Sequence, residues 1–320
     1  MKNLLTVENL SIHFVQYTKG LKKRILPVIN HLDLDIKSQE IVAILGSSGS
    51  GKSLLAHAIL GILPKNAYLQ GKIQYQDEIL TEEKKTYLRG KDIRFVPQSV
   101  TYLDPLMKIG KQVQLSVPDK IEAKRLQEEI FKQYHLQPEV AQLYPFQLSG
   151  GMTRRVLIAS AVIGDSQLII ADEPTPGLDE EALEEVLHCF INLKKEGKSI
   201  LMITHDIEAA RKIADRIAIF YAGMTIEIAN QIDFNGKGKN LRHPYTKALW
   251  HALPENGFHP IPGSQPSPRE KITGCLFHTR CPFATPLCQE KLPAFETINN
   301  GKVRCHYAKK IQEEAYVFKN

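Results

Sequence analysis

The amino-acid sequence predicts an α/β fold in which buried strands alternate with helices, and three observations lead to this prediction. Ile41 to Leu45 is a continuous apolar run, as in a strand buried on both faces, and a glycine-rich loop and a helical segment follow it. Two further apolar runs, Gln167 to Ala171 and Ser199 to Thr204, each lie next to helical patterns. The first 40 residues alternate apolar and polar side chains, which predicts short antiparallel strands with one solvated face.

The other elements follow from periodicity and turn residues. One more strand is predicted at Ile93 to Val96, and a hairpin is predicted around Ala222-Gly223. Helical spacing of apolar residues predicts four helices, at Lys120 to His135, Met152 to Ile163, Ala182 to Lys195 and Ile207 to Ile213. From about Asn235 proline and glycine become dense and the helical rhythm weakens, so we expect a domain boundary there.

Length and charge limit the possible functions. The 320 residues suffice for a large α/β domain with an appendage, and 41 Lys and Arg against 35 Asp and Glu give a net charge of +6. The longest apolar stretch, Leu54 to Leu63, is about half the length of a membrane-spanning helix. The basic run from Lys19 to Arg24 is more typical of a loop tip than of a nucleic-acid site. With no signal-peptide pattern at the N-terminus, we expect a cytosolic protein that does not bind nucleic acid.

The glycine-rich loop has the pattern of a phosphate-binding loop between a strand and a helix. Its glycines allow backbone N–H groups to face inward, and the positive end of the following helix adds to them. Lys52 is expected to reach the β- and γ-phosphates of ATP, and the Ser53 hydroxyl to bind Mg²⁺. The loop consists of Gly46, Ser47, Ser48, Gly49, Ser50, Gly51, Lys52 and Ser53.

Two carboxylates follow the buried strand that ends at Ala171. Asp172 and Glu173 would stand at the carboxyl end of this strand, where α/β sheets bind ligands. Asp172 is predicted to hold Mg²⁺, directly or through water, and Glu173 to polarise the attacking water. His205 follows the strand Ser199 to Thr204, and we expect it to contact the γ-phosphate.

The string Leu148-Ser149-Gly150-Gly151-Met152 resembles the LSGGQ signature of ABC ATPases, and it lies about 20 residues before Asp172 as in that family. Other elements fall in the family's order over residues 4 to about 230. Gln98 matches the Q-loop, which implies contact with Mg²⁺ and the reacting phosphate. Leu178-Asp179 matches the D-loop and His205 the H-loop. The family stacks an aromatic residue on adenine, and Phe14 and Tyr17 both remain candidates.

This resemblance implies an architecture and a mode of assembly. The expected fold is a P-loop NTPase domain over residues 1–234, with a mixed RecA-like core sheet, an antiparallel β subdomain and a helical subdomain at about 99–160. A small cysteine-containing extension over residues 235–320 would follow. ABC ATPases pair head to tail, so one subunit's signature would complete its partner's ATP site. The residues expected to act in trans are Ser149, Gly150, Gly151 and Asp179.

The C-terminal region resembles one particular group of ABC ATPases. His243 to Leu249 (HPYTKAL) is similar to the HPYTRAL element of ATPases from peptide and nickel ABC importers. It implies an ATP-driven subunit for import of peptides, nickel or metal chelates, bound at the cytoplasmic face of the cell membrane. The implied partners are a related but distinct ATPase, two transmembrane permease subunits and, through them, an extracytoplasmic solute-binding protein. The alternative is a soluble ABC ATPase acting on ribosomes or DNA, which usually carries two cassettes or a coiled-coil insertion.

Four of the five cysteines lie in the last fifth of the chain, and Cys189 stands apart in a helical pattern. A disulfide is disfavoured in a reducing cytosol. Zinc suits four thiolates, but paired CxxC spacing is more common there. In the resembled family this motif can hold a [4Fe–4S] cluster, which we favour over zinc. The four residues are Cys275, Cys281, Cys288 and Cys305.

Overall fold

The computed structural model describes residues 2–17, 22–47, 49–268, 270 and 272–313. The strands are β1 (Asn3–Tyr17), β2 (Lys23–Lys37), β3 (Ile41–Leu45), β4 (Ala67–Tyr75), β5 (Glu78–Ile79), β6 (Ile93–Val96), β7 (Leu168–Asp172), β8 (Ser199–Thr204), β9 (Arg216–Tyr221), β10 (Met224–Asn230), β11 (Glu296–Ile298) and β12 (Gly301–Val303). The α-helices are α1 (Lys52–Leu60), α2 (Glu82–Leu88), α3 (Ile109–Gln114), α4 (Lys120–Gln133), α5 (Gly150–Val162), α6 (Glu180–Lys195), α7 (Ile207–Ile213), α8 (Pro244–His251), α9 (Pro286–Glu290) and α10 (Ala308–Glu313). None of the described helices is long and apolar enough to cross a membrane.

The larger sheet is mixed, in the order β11-β12-β10-β9-β3-β8-β7-β6. Its five strands from β9 to β6 are parallel, and the rest pair antiparallel. Because successive side chains of a strand point to opposite faces, β3 contributes Ala43 to one hydrophobic core and Ile44 to another. Helices α5, α6 and α7 cover the first face, whereas α1 and the smaller sheet cover the second. The predicted α/β fold with a mixed core sheet is confirmed.

The smaller sheet is antiparallel, in the order β2-β1-β4-β5. Its first two strands are longer than the short strands expected, since β1 and β2 each run for 15 residues. Register shifts interrupt their pairing, and Asn9 and His31 have positive φ angles there. These irregularities break the regular alternation along the sequence, which explains why the strands were expected to be shorter than they are.

Helix starts depend on side-chain caps. The Ser149 hydroxyl accepts a hydrogen bond from the Met152 amide and starts α5 two residues before the apolar pattern does. Asp179 starts α6 in the same way, by accepting from the Ala182 amide. In the proline-rich tail, Pro244 takes the first position of α8 with His243 as its cap, so proline initiates a helix where it was expected to weaken one.

The C-terminal residues are joined to the larger sheet. Strand β12 pairs with β10, and β11 pairs with β12. Glu227 of β10 is fully buried and accepts hydrogen bonds from the Arg242 and His243 amides, both 2.8 Å long. The Arg242 guanidinium lies 3.3 Å from Glu227 and 3.0 Å from Asp233. The partition at residue 234 and the limits of the helical subdomain, 99–160, stay predictions.

Replacing Arg242 with methionine is expected to lower the free energy of unfolding by about 3–5 kcal/mol, because it leaves the Glu227 carboxylate buried without its cation. Denaturant unfolding followed by circular dichroism measures the change. Arg125→Met, which removes an exposed ion pair of α4, is the matched control and should leave the transition midpoint unchanged. Equal midpoints for Arg242→Met and the control would contradict this role for Arg242.

Candidate functional site

Parallel strands bring the predicted site residues to one edge of the larger sheet. Leu45 at the end of β3 is level with Thr204 at the end of β8, and Asp172 at the end of β7 is level with Ile203. The carboxyl ends of the three strands therefore meet at one edge, the position where α/β sheets bind ligands.

The phosphate-binding loop turns tightly between β3 and α1. Gly49 and Gly51 have φ angles of 76° and 94°, a region that glycine enters without strain. Ser50 has a buried hydroxyl without a hydrogen-bond partner among the described residues. Ser48, also predicted to belong to the site, lies outside the described residues. Among the described residues, the Ser50 hydroxyl thus has no partner, as expected in a loop that binds a polar ligand.

Lys52 places a buried cation inside this loop. Its Nζ donates to the Gly46 carbonyl at 2.8 Å and to the Ser47 carbonyl at 3.0 Å. It also lies 3.9 Å from Glu173 Oε1. Burial lowers the pKa of the Lys52 ammonium, and the Glu173 and Asp172 carboxylates oppose that shift. A phosphate oxygen would supply a closer negative partner for this ammonium.

Asp172 has the features of a cation ligand. It is buried, and Oδ1 has no hydrogen-bond partner within the part of the chain that the structure describes. Burial raises the pKa of the Asp172 carboxyl, a hydrogen bond from Ser53 lowers it, and the Glu173 charge raises it further. A divalent cation beside Oδ1 and Ser53 would stabilise the ionised form, so these two oxygen donors fit Mg²⁺.

Glu173 is held between a cation and an imidazole. Its Oε2 lies 2.8 Å from His205 Nδ1, while Oε1 faces Lys52. Glu173 also has a φ of 46°, uncommon for a residue with a side chain, and its amide donates to the Ile203 carbonyl at 2.8 Å. The carboxylate is buried, whereas the His205 side chain is 60% exposed. A buried carboxylate with fixed oxygens at this edge can orient a water molecule.

The structure places Gln98 in the exposed segment that follows β6. Its carbonyl accepts a hydrogen bond from Arg154 of α5, the helix that the signature begins. Sequence reasoning missed Arg154, because an arginine inside an apolar helix gives no signal of its long-range partner. This hydrogen bond joins the segment of Gln98 to the signature helix.

Phe14 and Tyr17 lie on the same strand, β1, in different surroundings. Phe14 is half-buried against the hydrophobic core, and Tyr17 is 63% exposed at the end of the strand. Neither lines the cavity of about 670 Å³ beside the loop, which contains Gly49 and Ser50. The choice between them as the adenine-stacking residue stays a prediction.

The residues expected to act in trans stand at exposed helix starts. Ser149 and Gly150 are exposed at the N-terminus of α5, and Asp179 is exposed at the N-terminus of α6. The two helices pack closely, since a Cβ on Gly151 would lie 3.1 Å from that of Ala182. The positive ends of both helices thus point outward together, and their roles in a partner's site stay predictions.

The four C-terminal cysteines line one small cavity. Burial raises the pKa of the Cys275 thiol, and raises those of Cys281 and Cys305 to about 12; backbone amides directed at all three sulfurs oppose these shifts. His243 also lines the cavity, and its buried Nε2 has no partner among the described residues. Within the same residues, no three His, Cys, Asp or Glu side chains are arranged to hold a metal ion.

Comparison with known families gives two matches. Residues 29–176 match the ABC transporter family, and residues 226–288 match the C-terminal region of oligopeptide/dipeptide transporters. The second match includes the HPYTKAL segment and three of the four clustered cysteines.

Individual relatives extend the likeness over the whole chain. The chain is 33% identical to the dipeptide transport ATP-binding protein of Haemophilus influenzae, over 95% of both chains. It is 33% identical to the oligopeptide transport ATP-binding protein of Bacillus subtilis, over 95% of this chain and 97% of that protein. Among solved structures, the dimeric ATP-binding cassette MJ0796 bound to ADP and Pi is 27% identical with a TM-score of 0.62, over 71% of this chain and 98% of that one.

The relatives at more than 30% identity span nearly the full length of both chains, and the phosphate loop, the paired carboxylates and the histidine occupy one edge of the sheet. The chain therefore belongs to the ABC transporter ATPases that carry an oligopeptide/dipeptide transporter C-terminal region.

Proposed function

We propose that this chain hydrolyses ATP to drive peptide import through a membrane permease. The ATPase function rests on one observation: Lys52, Glu173 and His205 lie together at one edge of the larger sheet. The full-length likeness to dipeptide and oligopeptide transport proteins supports peptides as the substrate class. Those relatives do not support the alternative of a ribosome- or DNA-associated ATPase. Transport of nickel or metal chelates stays a prediction.

The geometry supports a division of labour among the site residues. Lys52 would exchange its loop carbonyl partners for phosphate oxygens, and Asp172 with Ser53 would hold Mg²⁺. Glu173 would orient and polarise the attacking water, and His205 would hold Glu173 through Nδ1 and contact the γ-phosphate with its exposed side. Hydrolysis by such a site depends on positioning and charge stabilisation. Gln98, which follows the neighbouring strand β6, would contact Mg²⁺ and the γ-phosphate.

We infer that the functional unit is a head-to-tail pair with a related but distinct ATPase. The exposed N-termini of α5 and α6 offer Ser149, Gly150, Gly151 and Asp179 to a nucleotide held by the partner. The ADP- and Pi-bound relative is itself dimeric, which supports pairing. Import would also involve an extracytoplasmic solute-binding protein that reaches this chain only through the permease.

A surface between Gln98 and the signature is suited to the permease. Leu106 and Phe146 are 87% and 77% exposed, and a hydrogen bond of 2.9 Å from the Ile109 amide to the Leu143 carbonyl brings their segments together. Exposed apolar side chains in adjoining segments favour a protein partner. The permease would hold the chain at the cytoplasmic face of the membrane, and the bond from Arg154 to Gln98 would connect this surface to the ATP site.

We propose that the four-cysteine cavity holds a [4Fe–4S] cluster. Four thiols around one cavity supply the usual donor set, and amides of Phe277, Phe283 and Tyr307 directed at the sulfurs would stabilise thiolates. The buried Nε2 of His243 is also suited to stabilise a thiolate of this cavity by donating a hydrogen bond. Its Nδ1 accepts from the Tyr245 amide, which places the proton of the neutral ring on Nε2. Zinc remains the alternative.

Glu173→Gln is expected to retain ATP binding and to lower the turnover number by about a hundredfold or more, because an amide cannot accept the proton of the attacking water. Phosphate release under saturating ATP measures turnover, and equilibrium binding of a fluorescent ATP analogue measures affinity. Glu180→Gln, at an exposed position of α6, is the control and should hydrolyse ATP normally. Near-normal turnover in Glu173→Gln would exclude the general-base role.

Cells that lack this chain are expected to lose uptake of tritiated dialanine, and the wild-type gene, but not the Glu173→Gln variant, should restore it. Filter assays for dialanine and for radioactive nickel are run in parallel on the same strains. Loss of nickel uptake with normal dialanine uptake would replace the peptide substrate by nickel. Unchanged uptake of both would exclude dipeptides and nickel as substrates.

Protein purified without oxygen is expected to be brown, to absorb at about 400 nm and to contain iron and sulfide. Cys281→Ser should lose the colour because it removes one thiolate of the cavity. Cys189→Ser, at a buried position of α6 away from that cavity, is the matched control and should remain brown. Colourless wild-type protein with stoichiometric zinc would instead establish the zinc alternative.

A further inference from the structure

Residues 261–268 form a segment without regular secondary structure, here called the strap, that lies beside the phosphate-binding loop. The strap belongs to the C-terminal region, yet it lines the same cavity of about 670 Å³ as Gly49 and Ser50 of the loop. Its sequence, Ile261-Pro262-Gly263-Ser264-Gln265-Pro266-Ser267-Pro268, contains three prolines, which restrict the backbone before any contact forms.

One side chain of the strap contacts the loop directly. The Ser47 hydroxyl donates to Gln265 Oε1 at 2.6 Å, across 218 positions of sequence. The carbonyl of the same serine accepts from Lys52 Nζ at 3.0 Å and from the Ser50 amide at 3.2 Å. Ser47 is therefore held from inside the loop by the phosphate-binding lysine and from outside by the strap.

Arg280 fixes the other end of the strap. Its Nε donates to the Pro262 carbonyl at 2.8 Å, and its Nη2 to the Ile261 carbonyl at 3.3 Å. Its Nη1 donates to the hydroxyl of Tyr221 at 3.2 Å, and Tyr221 ends β9, the neighbour of the strand that leads into the loop. One guanidinium thus joins the strap to the core sheet on the side of the nucleotide site.

We propose that the strap is a structural part of the nucleotide site and that Gln265 is a positioning residue for the phosphate-binding loop. A loop that must present several N–H groups to phosphate loses conformational freedom when it binds. A loop already fixed at its exposed tip loses less, so nucleotide binds more tightly. The Ser47–Gln265 hydrogen bond supplies that restraint without touching the reacting atoms.

Gln265→Ala is expected to raise the dissociation constants for both ATP and ADP about three- to tenfold, the usual effect of losing one hydrogen bond. The turnover number at saturating ATP should stay near that of the wild type, so KM rises while kcat does not. Fluorescent ATP and ADP analogues report affinity, and phosphate release reports kcat and KM, all with the full-length chain. Gln289→Ala, an exposed glutamine of the same C-terminal region, is the control and should bind both nucleotides normally.

A double-mutant cycle separates the Ser47–Gln265 contact from a general weakening of the region. Ser47→Ala should weaken nucleotide binding as Gln265→Ala does, and the double variant should be no weaker than the weaker single one. Unchanged affinity in Gln265→Ala, tighter binding, or fully additive effects in the double variant would each overturn the proposal.

Discussion

The parallel pairing of β3, β7 and β8 is the constraint on which the site depends. Hydrogen bonds along these strands fix Leu45 level with Thr204 and Asp172 level with Ile203. A shift of one residue would turn each side chain to the opposite face, where it would have to pack into the other of the two hydrophobic cores. Lys52 can approach Glu173, and Glu173 can meet His205, only because this register is fixed.

Local signals predicted the elements with strong periodicity and missed those whose partners lie far away in sequence. Strands β6 and β8 and helix α7 have the predicted bounds, because continuous burial or a clear apolar face encodes them. Strands β11 and β12 were not predicted, since three residues each carry too little pattern; β12 pairs with the distant strand β10, and β11 pairs with β12. The site followed the same rule. Lys52 and Glu173 came from motifs, whereas the contact between Ser47 and Gln265 leaves no local trace.

The HPYTKAL segment was recognised by resemblance alone, and the structure supplies a physical role for its first residue, His243, and for Arg242 just before it. The amides of Arg242 and His243 satisfy both oxygens of the fully buried Glu227, and the Arg242 guanidinium adds charge. Burying a carboxylate at the sheet edge is costly unless such donors surround it. The start of this segment is therefore one point at which the C-terminal region attaches to the ATPase sheet, besides the pairing of β12 with β10.

The C-terminal region, attached at Glu227, contacts two different parts of the molecule, the cysteine cavity and the phosphate-binding loop. Residue His243, beside Glu227, lines the cysteine cavity, while Arg280, next to Cys281, holds the strap against the loop. Any change in the cavity that displaces Cys281 also acts on the adjacent residue, Arg280. The guanidinium of Arg280 donates a hydrogen bond to Tyr221 of the core sheet. The path from the cavity to Ser47 contains Arg280, the strap and Gln265, and each step is a hydrogen bond or a covalent link. This series of contacts gives the cysteine region a physical means to influence the nucleotide loop, although it lies outside the ATPase motifs.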